Sequence, residues 1–184
     1  MNQDTVEVRL HGRGGQGTVT LAALLVDAAF RDGWYALGFP AFGTERTGAP
    51  VAAFVRLARA PILDRSEVRH PSVIVVQDPT LLHALDVPTG ATPDATFVLN
   101  ATAPPDEFPS STAVVPASQI AVRALGKPIT STAMLGAFAA ATGLISIDAV
   151  AAAITQRFPG EMGARNVSAA REAFDALRGH EAVA

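Results

Sequence analysis

The stretch LHGRGGQGTVTLAALL, residues 10–25, joins a glycine-rich loop to the start of a helix. It continues from TVEVRLH (5–11), where apolar and polar residues alternate as they do in a strand. In TVTLAALLVDAAFRDG (18–33) the apolar residues recur at helical spacing, and Gly33 is suited to end the helix. This order of strand, tight turn and helix predicts the first unit of a layered α/β sheet.

Strand and helix signals alternate over the first two thirds of the chain, whereas only helices are predicted after Pro116. The apolar run SVIVVQD (72–78) is typical of a central strand covered on both faces. Because VAAFVRLA (51–58) follows a loop (40–50) instead of a helix, we expect a mostly parallel but mixed sheet. We predict one three-layer α/β/α domain over residues 1–184, with a helical C-terminal part. The other predicted strands are 34–39, 95–100 and 112–116, and the other predicted helices are 80–85, 118–126, 131–143, 146–158 and 164–179, with Ser118 and Ser146 as N-caps.

The composition restricts the classes of protein to which the chain can belong. It has 184 residues, a net charge of −3 and no run of basic residues, so we expect no nucleic-acid binding. No stretch of about 20 apolar residues is present, which predicts that the chain does not span a membrane. The N-terminal MNQDTVEV is acidic and leads directly into a strand, unlike a signal peptide, so we expect a cytoplasmic location.

The chain contains no cysteine. This excludes disulfide bonds, and it excludes zinc or iron–sulfur clusters held by thiolates, so any such cluster must belong to another chain. The four histidines are far apart in the sequence and show no metal-ligand spacing, and no catalytic constellation is evident. We therefore predict that this chain supplies no catalytic or metal-binding residues.

The proportion of charged residues is low for a soluble protein. They make up 17 % of the chain, against about 25 % in an average soluble protein. Such depletion is typical of the buried part of a protein–protein interface, so the favoured interpretation is a surface that other chains cover. The alternative is an alanine-rich composition that reflects a biased genome.

The spelling G-x-G-x-x-G at residues 12–17 is found in dinucleotide-binding proteins. Binding of NAD or FAD also needs an acidic residue at the end of the second strand, and residues 37–40 (LGFP) contain none. The loop also carries two bulky polar side chains, Arg13 and Gln16. Three interpretations remain open: a dinucleotide site, a tight turn without a ligand, and a loop that binds an anion or docks a partner at the helix N-terminus.

A second polar loop lies in FGTERTGAPVAAFVRL (42–57), where Glu45 and Arg46 stand among glycine and threonine residues. As an exposed ion pair they would contribute only about 0–1 kcal/mol to stability. Alternatively, Arg46 binds a carboxylate or phosphate through two parallel hydrogen bonds, and that group can belong to another chain. The sequence alone favours neither interpretation.

Three segments in this order, GRGGQG (12–17), FPAFGTERTGAPVAAFVRL (39–57) and STAMLGAFAAATGL (131–144), resemble the gamma subunit of the 2-oxoacid:ferredoxin oxidoreductases. The pyruvate/2-oxoisovalerate branch is nearest in pattern, and the resemblance spans nearly the whole chain. The residues that match the family motifs are Gly12, Gly14, Gly15, Gln16 and Gly17 in the first loop, Gly43, Glu45, Arg46 and Gly48 in the second, and Leu135 and Gly136 in the later helix.

The resemblance implies a non-catalytic subunit of a complex that oxidatively decarboxylates a 2-oxoacid, with CoA as the usual acyl acceptor. Thiamine diphosphate, magnesium and the iron–sulfur clusters would lie on alpha-, beta- and delta-type partner subunits. Electrons would pass to ferredoxin or to NAD, and the isolated chain would be inactive. The identity of the 2-oxoacid stays open between pyruvate, a branched-chain acid, an aryl glyoxylate and oxalate.

The resemblance also implies a role for the glycine loop, either in binding CoA or another anion or in forming an interface. Members of the family often have arginine and glycine where this chain has Thr47 and Ala49, and often tyrosine at Phe42, so the contacts of the second loop are less defined. The alternative function is a free-standing NAD- or FAD-binding oxidoreductase of Rossmann type. The residues predicted to bind CoA or another anion, or to form the interface, are Gly12, Arg13, Gly14, Gly15, Gln16 and Gly17.

Overall fold

The strands and helices follow the order that the sequence predicts. In a computed structural model of the chain, the described residues are 5–41, 47–106, 108–109 and 112–181. These residues form six strands and six helices: β1 (Thr5–Arg13), α1 (Thr18–Arg31), β2 (Tyr35–Pro40), β3 (Pro50–Ala58), β4 (Val73–Val76), α2 (Leu81–Ala84), β5 (Thr96–Asn100), β6 (Ala113–Val115), α3 (Ala117–Leu125), α4 (Ser131–Thr142), α5 (Ile147–Arg157) and α6 (Gly160–Glu181).

The six strands form one mixed sheet in the order β2-β3-β1-β4-β5-β6. Strands β1, β4, β5 and β6 run parallel to one another, whereas β3 is antiparallel to both β1 and β2. The two central strands are β1 and β4, and Val8 of β1 lies opposite Val55 of β3 on one side and Val73 of β4 on the other. The prediction of a mixed, mostly parallel sheet is therefore confirmed.

Most of the helical mass covers one face of the sheet. The apolar residues of this face, such as Leu10 and Val55, form one buried cluster with residues of α1 and of α3 to α6. The opposite face carries a smaller cluster around Ile74, Phe97 and Phe108, against which Leu82 of α2 packs. In the described part of the chain this second layer is thin, because α2 has only four residues and loops do the rest of the covering.

Helix α4 lies in the middle of the helical layer. All of its residues from Ser131 to Ala139 are buried, as expected for a helix that is apolar on every side. It packs closely on α6, since a Cβ built on Gly136 would lie 1.9 Å from the carbonyl oxygen of Ala170. The STAMLGA segment that matched the family pattern is therefore a packing element.

One of the two predicted N-caps is correct and the other is wrong. The Ser146 hydroxyl accepts a hydrogen bond from the amide of Ala149 at 3.1 Å and caps α5. Helix α3 begins at Ala117, after Pro116, so Ser118 lies inside its first turn. The Ser118 hydroxyl instead accepts a hydrogen bond from Asn100 Nδ2 at 2.8 Å, which ties α3 to the end of β5. Among the described helices, none is both long and apolar enough to cross a bilayer.

Candidate functional site

The glycine loop lies in the crevice between the carboxyl ends of two neighbouring parallel strands, β1 and β4. The chain leaves β1 through the glycine loop towards α1, which packs on one face of the sheet. It leaves β4 through residues 77–80 towards α2, which packs on the other face. In open α/β sheets this point of divergence is where ligands bind.

Arg13, the last residue of β1, is held by groups from two other loops. Its Nη1 donates to the carbonyl oxygen of Gly48 at 3.0 Å. Its Nε and Nη2 both donate to Thr80 Oγ1, at 3.2 and 2.8 Å. Its Nε also lies 3.4 Å from Asp78 Oδ2, and 28 % of the Arg13 side chain remains exposed. The guanidinium is thus fixed in place while part of it still faces solvent.

The Asp78 carboxylate connects the two loops at this edge. Its Oδ1 accepts hydrogen bonds from the Thr80 amide at 3.0 Å and the Thr80 hydroxyl at 2.5 Å, and its Oδ2 accepts one from Gln16 Nε2 at 2.7 Å. Partial burial alone would raise the pKa of Asp78, but the hydrogen bonds from Thr80 and Gln16 and the charge of Arg13 lower it below its ordinary value. The carboxylate therefore stays ionised at neutral pH.

Gln16 fixes the shape of the glycine loop. Its side-chain Oε1 accepts a hydrogen bond from the backbone amide of Arg13 at 2.8 Å, and the backbone amide of Gln16 donates to the Arg13 carbonyl at 3.0 Å. Gly15 and Gly17 have φ angles of +96° and +83°, a backbone region that residues other than glycine rarely adopt. Gln16 and Arg13, the two bulky polar residues of the loop, thus hold it in shape through their hydrogen bonds.

The first glycine of the loop lies against two buried oxygen atoms. A Cβ at Gly12 would lie 2.2 Å from Thr18 Oγ1 and 2.9 Å from Gln77 Oε1. Both oxygens are buried and have no hydrogen-bond partner within the described ranges. The Gln77 side chain also donates to Thr130 Oγ1 at 3.1 Å, so it links the loop to the start of α4.

A small cavity of about 240 Å³ lies at the N-terminus of α1. Gly17 caps this helix without a side-chain hydrogen bond, and the first turn contains no acidic residue. The first amides of a helix have no acceptor within it, and together they carry about half a positive charge. The chemistry of the cavity therefore suits an anion. Its lining residues include Arg13, Gly14, Gly15, Thr18 and Val51.

The second polar loop meets the glycine loop at Gly48. The Gly48 amide donates to the Gly14 carbonyl at 3.0 Å, and the Gly14 amide donates to the Ala49 carbonyl at 2.9 Å. These two hydrogen bonds, together with the one from Arg13 to Gly48, link the two loops at the same edge of the sheet. Three of the predicted second-loop residues, Gly43, Glu45 and Arg46, lie outside the described residues.

The position of β2 argues against dinucleotide binding. In the dinucleotide fold the second strand lies beside the first and ends in the acidic residue that holds the ribose. Here β2 is at the edge of the sheet, separated from β1 by the antiparallel β3. The G-x-G-x-x-G spelling thus lacks both the neighbouring strand and the acidic residue.

A larger cavity, of about 740 Å³, lies at the other end of β1. The buried charged residue of its lining is Arg56, which donates to Glu7 Oε1 at 2.8 Å and to the Ser66 carbonyl at 2.6 Å and lies 3.4 Å from Asp64 Oδ2. Because this guanidinium is already paired on several sides, its role is to hold the segment after β3 against the sheet.

Sequence reasoning missed three residues of the site, Gln77, Asp78 and Thr80. They come directly after the buried run VIVV and therefore at the carboxyl end of a central strand. Polar residues at that position of a parallel sheet were the available signal. They are 61 to 67 residues away from their hydrogen-bond partners in the glycine loop, and this separation concealed the contact.

The chain offers no thiolate ligands for the iron–sulfur clusters of electron-transfer proteins. It has no cysteine to ligate an iron–sulfur cluster. In the ranges that the structure describes, no group of three or more His, Asp or Glu residues is arranged to hold a metal ion. The geometry at the carboxyl edge instead offers hydrogen-bond donors and one arginine.

The sequence pattern of the family described as pyruvate ferredoxin/flavodoxin oxidoreductase matches residues 7–176. The chain belongs to this family. It is 47 % identical over 177 residues to the pyruvate/ketoisovalerate oxidoreductases common subunit gamma of Pyrococcus abyssi, a match that covers 92 % of this chain and 96 % of the relative. It is 45 % identical over 172 residues to the pyruvate synthase subunit PorC of Methanothermobacter thermautotrophicus, covering 94 % and 96 % of the two chains.

A solved structure from the same family has the same fold. The pyruvate oxidoreductase subunit PORC of Thermotoga maritima aligns with a TM-score of 0.79 and 34 % identity, over 94 % of this chain and 97 % of that one. The predicted assignment to the gamma-type subunits of 2-oxoacid:ferredoxin oxidoreductases is confirmed by these family matches. The alternative of a free-standing dinucleotide-binding enzyme is not supported.

Proposed function

We propose that this chain is a non-catalytic subunit that packs against alpha-, beta- and delta-type subunits, and that its glycine loop binds a phosphate group of CoA at their interface. In the assembled enzyme, thiamine diphosphate with magnesium supplies the carbanion chemistry on a 2-oxoacid such as pyruvate, and iron–sulfur clusters carry the electrons towards ferredoxin. The chain's own part is to bind and orient the acyl acceptor.

The lack of cysteine supports the division of labour between subunits. A chain without thiolates has no ligands for the clusters that this chemistry requires, so the clusters fall to partner subunits. The low content of charged residues, 17 %, supports a surface that partners cover.

The observation that carries the CoA contact is the fixed guanidinium of Arg13 beside the N-terminus of α1. Arginine binds phosphate through paired N–H groups, and helix N-termini bind phosphate through free amides. Both kinds of donor line the same cavity of about 240 Å³. CoA carries a diphosphate and a 3′-phosphate, which gives it the charge that these donors favour.

Co-purification tests the assignment as a subunit. An affinity tag on this chain, expressed in its native cell, should recover larger subunits that contain thiamine diphosphate and iron, with 2-oxoacid:ferredoxin oxidoreductase activity. Recovery of the chain alone would reject the proposal.

Steady-state kinetics of the purified complex test the CoA contact. Arg13→Ala should raise the KM for CoA about ten- to a hundredfold, because a charge-assisted hydrogen bond is lost, while the KM for the 2-oxoacid stays constant. The matched control is Arg171→Ala, since Arg171 also pairs with an aspartate, Asp148, at 2.8 Å but lies on α6. If Arg13→Ala instead weakens assembly and leaves the KM for CoA unchanged, the loop braces the interface.

A further inference from the structure

Thr80 stands between Asp78 and Arg13 in the crevice. A threonine hydroxyl has one proton to donate and two lone pairs that accept. The proton goes to Asp78 Oδ1 at 2.5 Å. The lone pairs are thereby left for Arg13, whose Nε and Nη2 lie 3.2 and 2.8 Å from Thr80 Oγ1. Asp78 thus sets the direction of the hydroxyl, and the hydroxyl sets the position of the guanidinium.

Arg13 keeps donors in reserve after these contacts. A guanidinium has five N–H groups, one on Nε and two on each terminal nitrogen. Contacts with Thr80 and Gly48 use one N–H of each nitrogen, so Nη1 and Nη2 each retain one. The Arg13 side chain is 28 % exposed and lines the cavity at α1, so these two N–H groups are the donors that Arg13 has left for a ligand there.

We infer that Thr80, oriented by Asp78, is a positioning residue that holds the Arg13 guanidinium ready for a phosphate group of CoA. The inference rests on the proposed CoA contact. A free arginine has many rotamers, and ordering it upon binding weakens the complex. In this chain the ordering is complete before the anion arrives, since Thr80, Asp78 and Gly48 already fix the side chain.

The test compares Thr80→Val with Thr80→Ser in the assembled enzyme. Thr80 is exposed, so valine fits there without disturbing the core. Thr80→Val removes the hydroxyl and should raise the KM for CoA about three- to tenfold, the range that one unfixed side chain accounts for. The kcat and the KM for the 2-oxoacid should not change. Thr80→Ser keeps the hydroxyl and should restore the KM for CoA.

The matched control is Thr89→Val. Thr89 donates its hydroxyl proton to Asp86 in a neighbouring turn, so this variant breaks the same kind of pair away from the glycine loop. It should leave the KM for CoA unchanged. If Thr80→Val reduces the yield of complex, Thr80→Ala offers a second route, since it removes the same hydroxyl with less bulk.

A double-mutant cycle separates positioning from a merely structural role. If Thr80 acts through Arg13, then Thr80→Val should have no further effect on the KM for CoA in an Arg13→Ala background. Additive effects of the two substitutions would overturn the inference, and so would an unchanged KM in Thr80→Val alone.

The failure of this inference and the failure of the proposed CoA contact give different results. If Arg13→Ala raises the KM for CoA but Thr80→Val does not, only the positioning role is rejected. If Arg13→Ala leaves the KM for CoA unchanged, the CoA contact is rejected, and the positioning role with it.

Discussion

A side chain at position 12 would occupy space that buried oxygen atoms already fill. The Cβ of an alanine would lie 2.2 Å from Thr18 Oγ1 and 2.9 Å from Gln77 Oε1. We expect Gly12→Ala to reduce the free energy of unfolding by about 1–3 kcal/mol, because the buried Thr18 and Gln77 side chains must shift to make room. Chemical denaturation of the full chain measures this change.

Removing the closest of these oxygens should relieve the clash. We expect the double variant Gly12→Ala/Thr18→Ala to be more stable than the sum of the two single changes. Strict additivity would mean that the loss of stability comes from the strand and not from the approach of Thr18.

His11 is a buried base with a depressed pKa. It is 8 % exposed on the second face of the sheet, and its Nε2 accepts a hydrogen bond from Arg9 Nε at 3.1 Å. Burial, and secondarily the charge of Arg9, lowers the pKa of His11 to about 4. The ring is therefore neutral in the folded chain across the physiological range.

This pKa predicts a loss of stability in mild acid. Between about pH 6.5, the unfolded value, and the folded pKa of about 4, the unfolded chain binds the proton more readily. Stability contributed by neutral His11 is thus complete above pH 6.5 and falls by about 3 kcal/mol as the pH drops to 4. Unfolding free energies of the parent chain and His11→Gln measure this difference. An equal slope in both proteins over that range would assign the acid sensitivity to other groups.

The residues of the site divide according to how far apart they lie in the sequence. The glycine loop was recognisable because its residues are contiguous and their spacing reports a tight turn. Asp78 and Thr80 were not recognised, because their role depends on β1 and β4 being neighbours in the sheet. Spacing in the sequence reports a local turn, but it does not report which strands pair.

Helices α4 and α6 show how the context of an element decides the effect of a glycine. Gly136 in α4 and Gly179 in α6 are both helical glycines, and alanine normally stabilises such a position by up to about 1 kcal/mol. A Cβ at Gly179 would meet nothing within 4 Å, but a Cβ at Gly136 would lie 1.9 Å from the backbone oxygen of Ala170.

We expect the two substitutions to have opposite effects on unfolding. Gly179→Ala should leave the midpoint unchanged or raise it, whereas Gly136→Ala should lower stability by about 2 kcal/mol or more, because α6 must move away as a unit. Thermal unfolding of the full chain, followed by circular dichroism, distinguishes them. A neutral Gly136→Ala would show that α4 and α6 are packed less closely than their backbones indicate.

The periodicity of apolar residues predicted the strands and helices to within a few residues, since burial of one face or one stripe leaves a local pattern. Direction and partner were harder. The loop before β3 predicted a mixed sheet, but the place of β3 between β1 and β2 depends on the whole sheet. The N-cap predicted at Ser118 was wrong for a similar reason, because the Ser118 hydroxyl accepts a hydrogen bond from Asn100 at the distant end of β5.

In the part of the chain that the structure describes, several donors for an anion lie together at one edge of the sheet. Gly48 joins the two loops there, Arg13 is fixed there, and α1 begins there. Amides in the first turn of a helix have no acceptor inside it, so they exchange with solvent rapidly unless a ligand covers them.

The purified complex should therefore respond to CoA at this edge. We expect CoA to slow hydrogen exchange of the amides in residues 17–20, at the N-terminus of α1, because a bound phosphate accepts their hydrogen bonds and excludes water. Pantetheine, which has the thiol arm of CoA but no phosphate, should leave this exchange unchanged. Residues 147–181, which form α5 and α6, provide the internal reference and should be unaffected by either compound. Equal slowing by pantetheine would place the thiol arm at the loop and not the phosphates, and an unchanged rate with saturating CoA would leave the edge to a partner subunit.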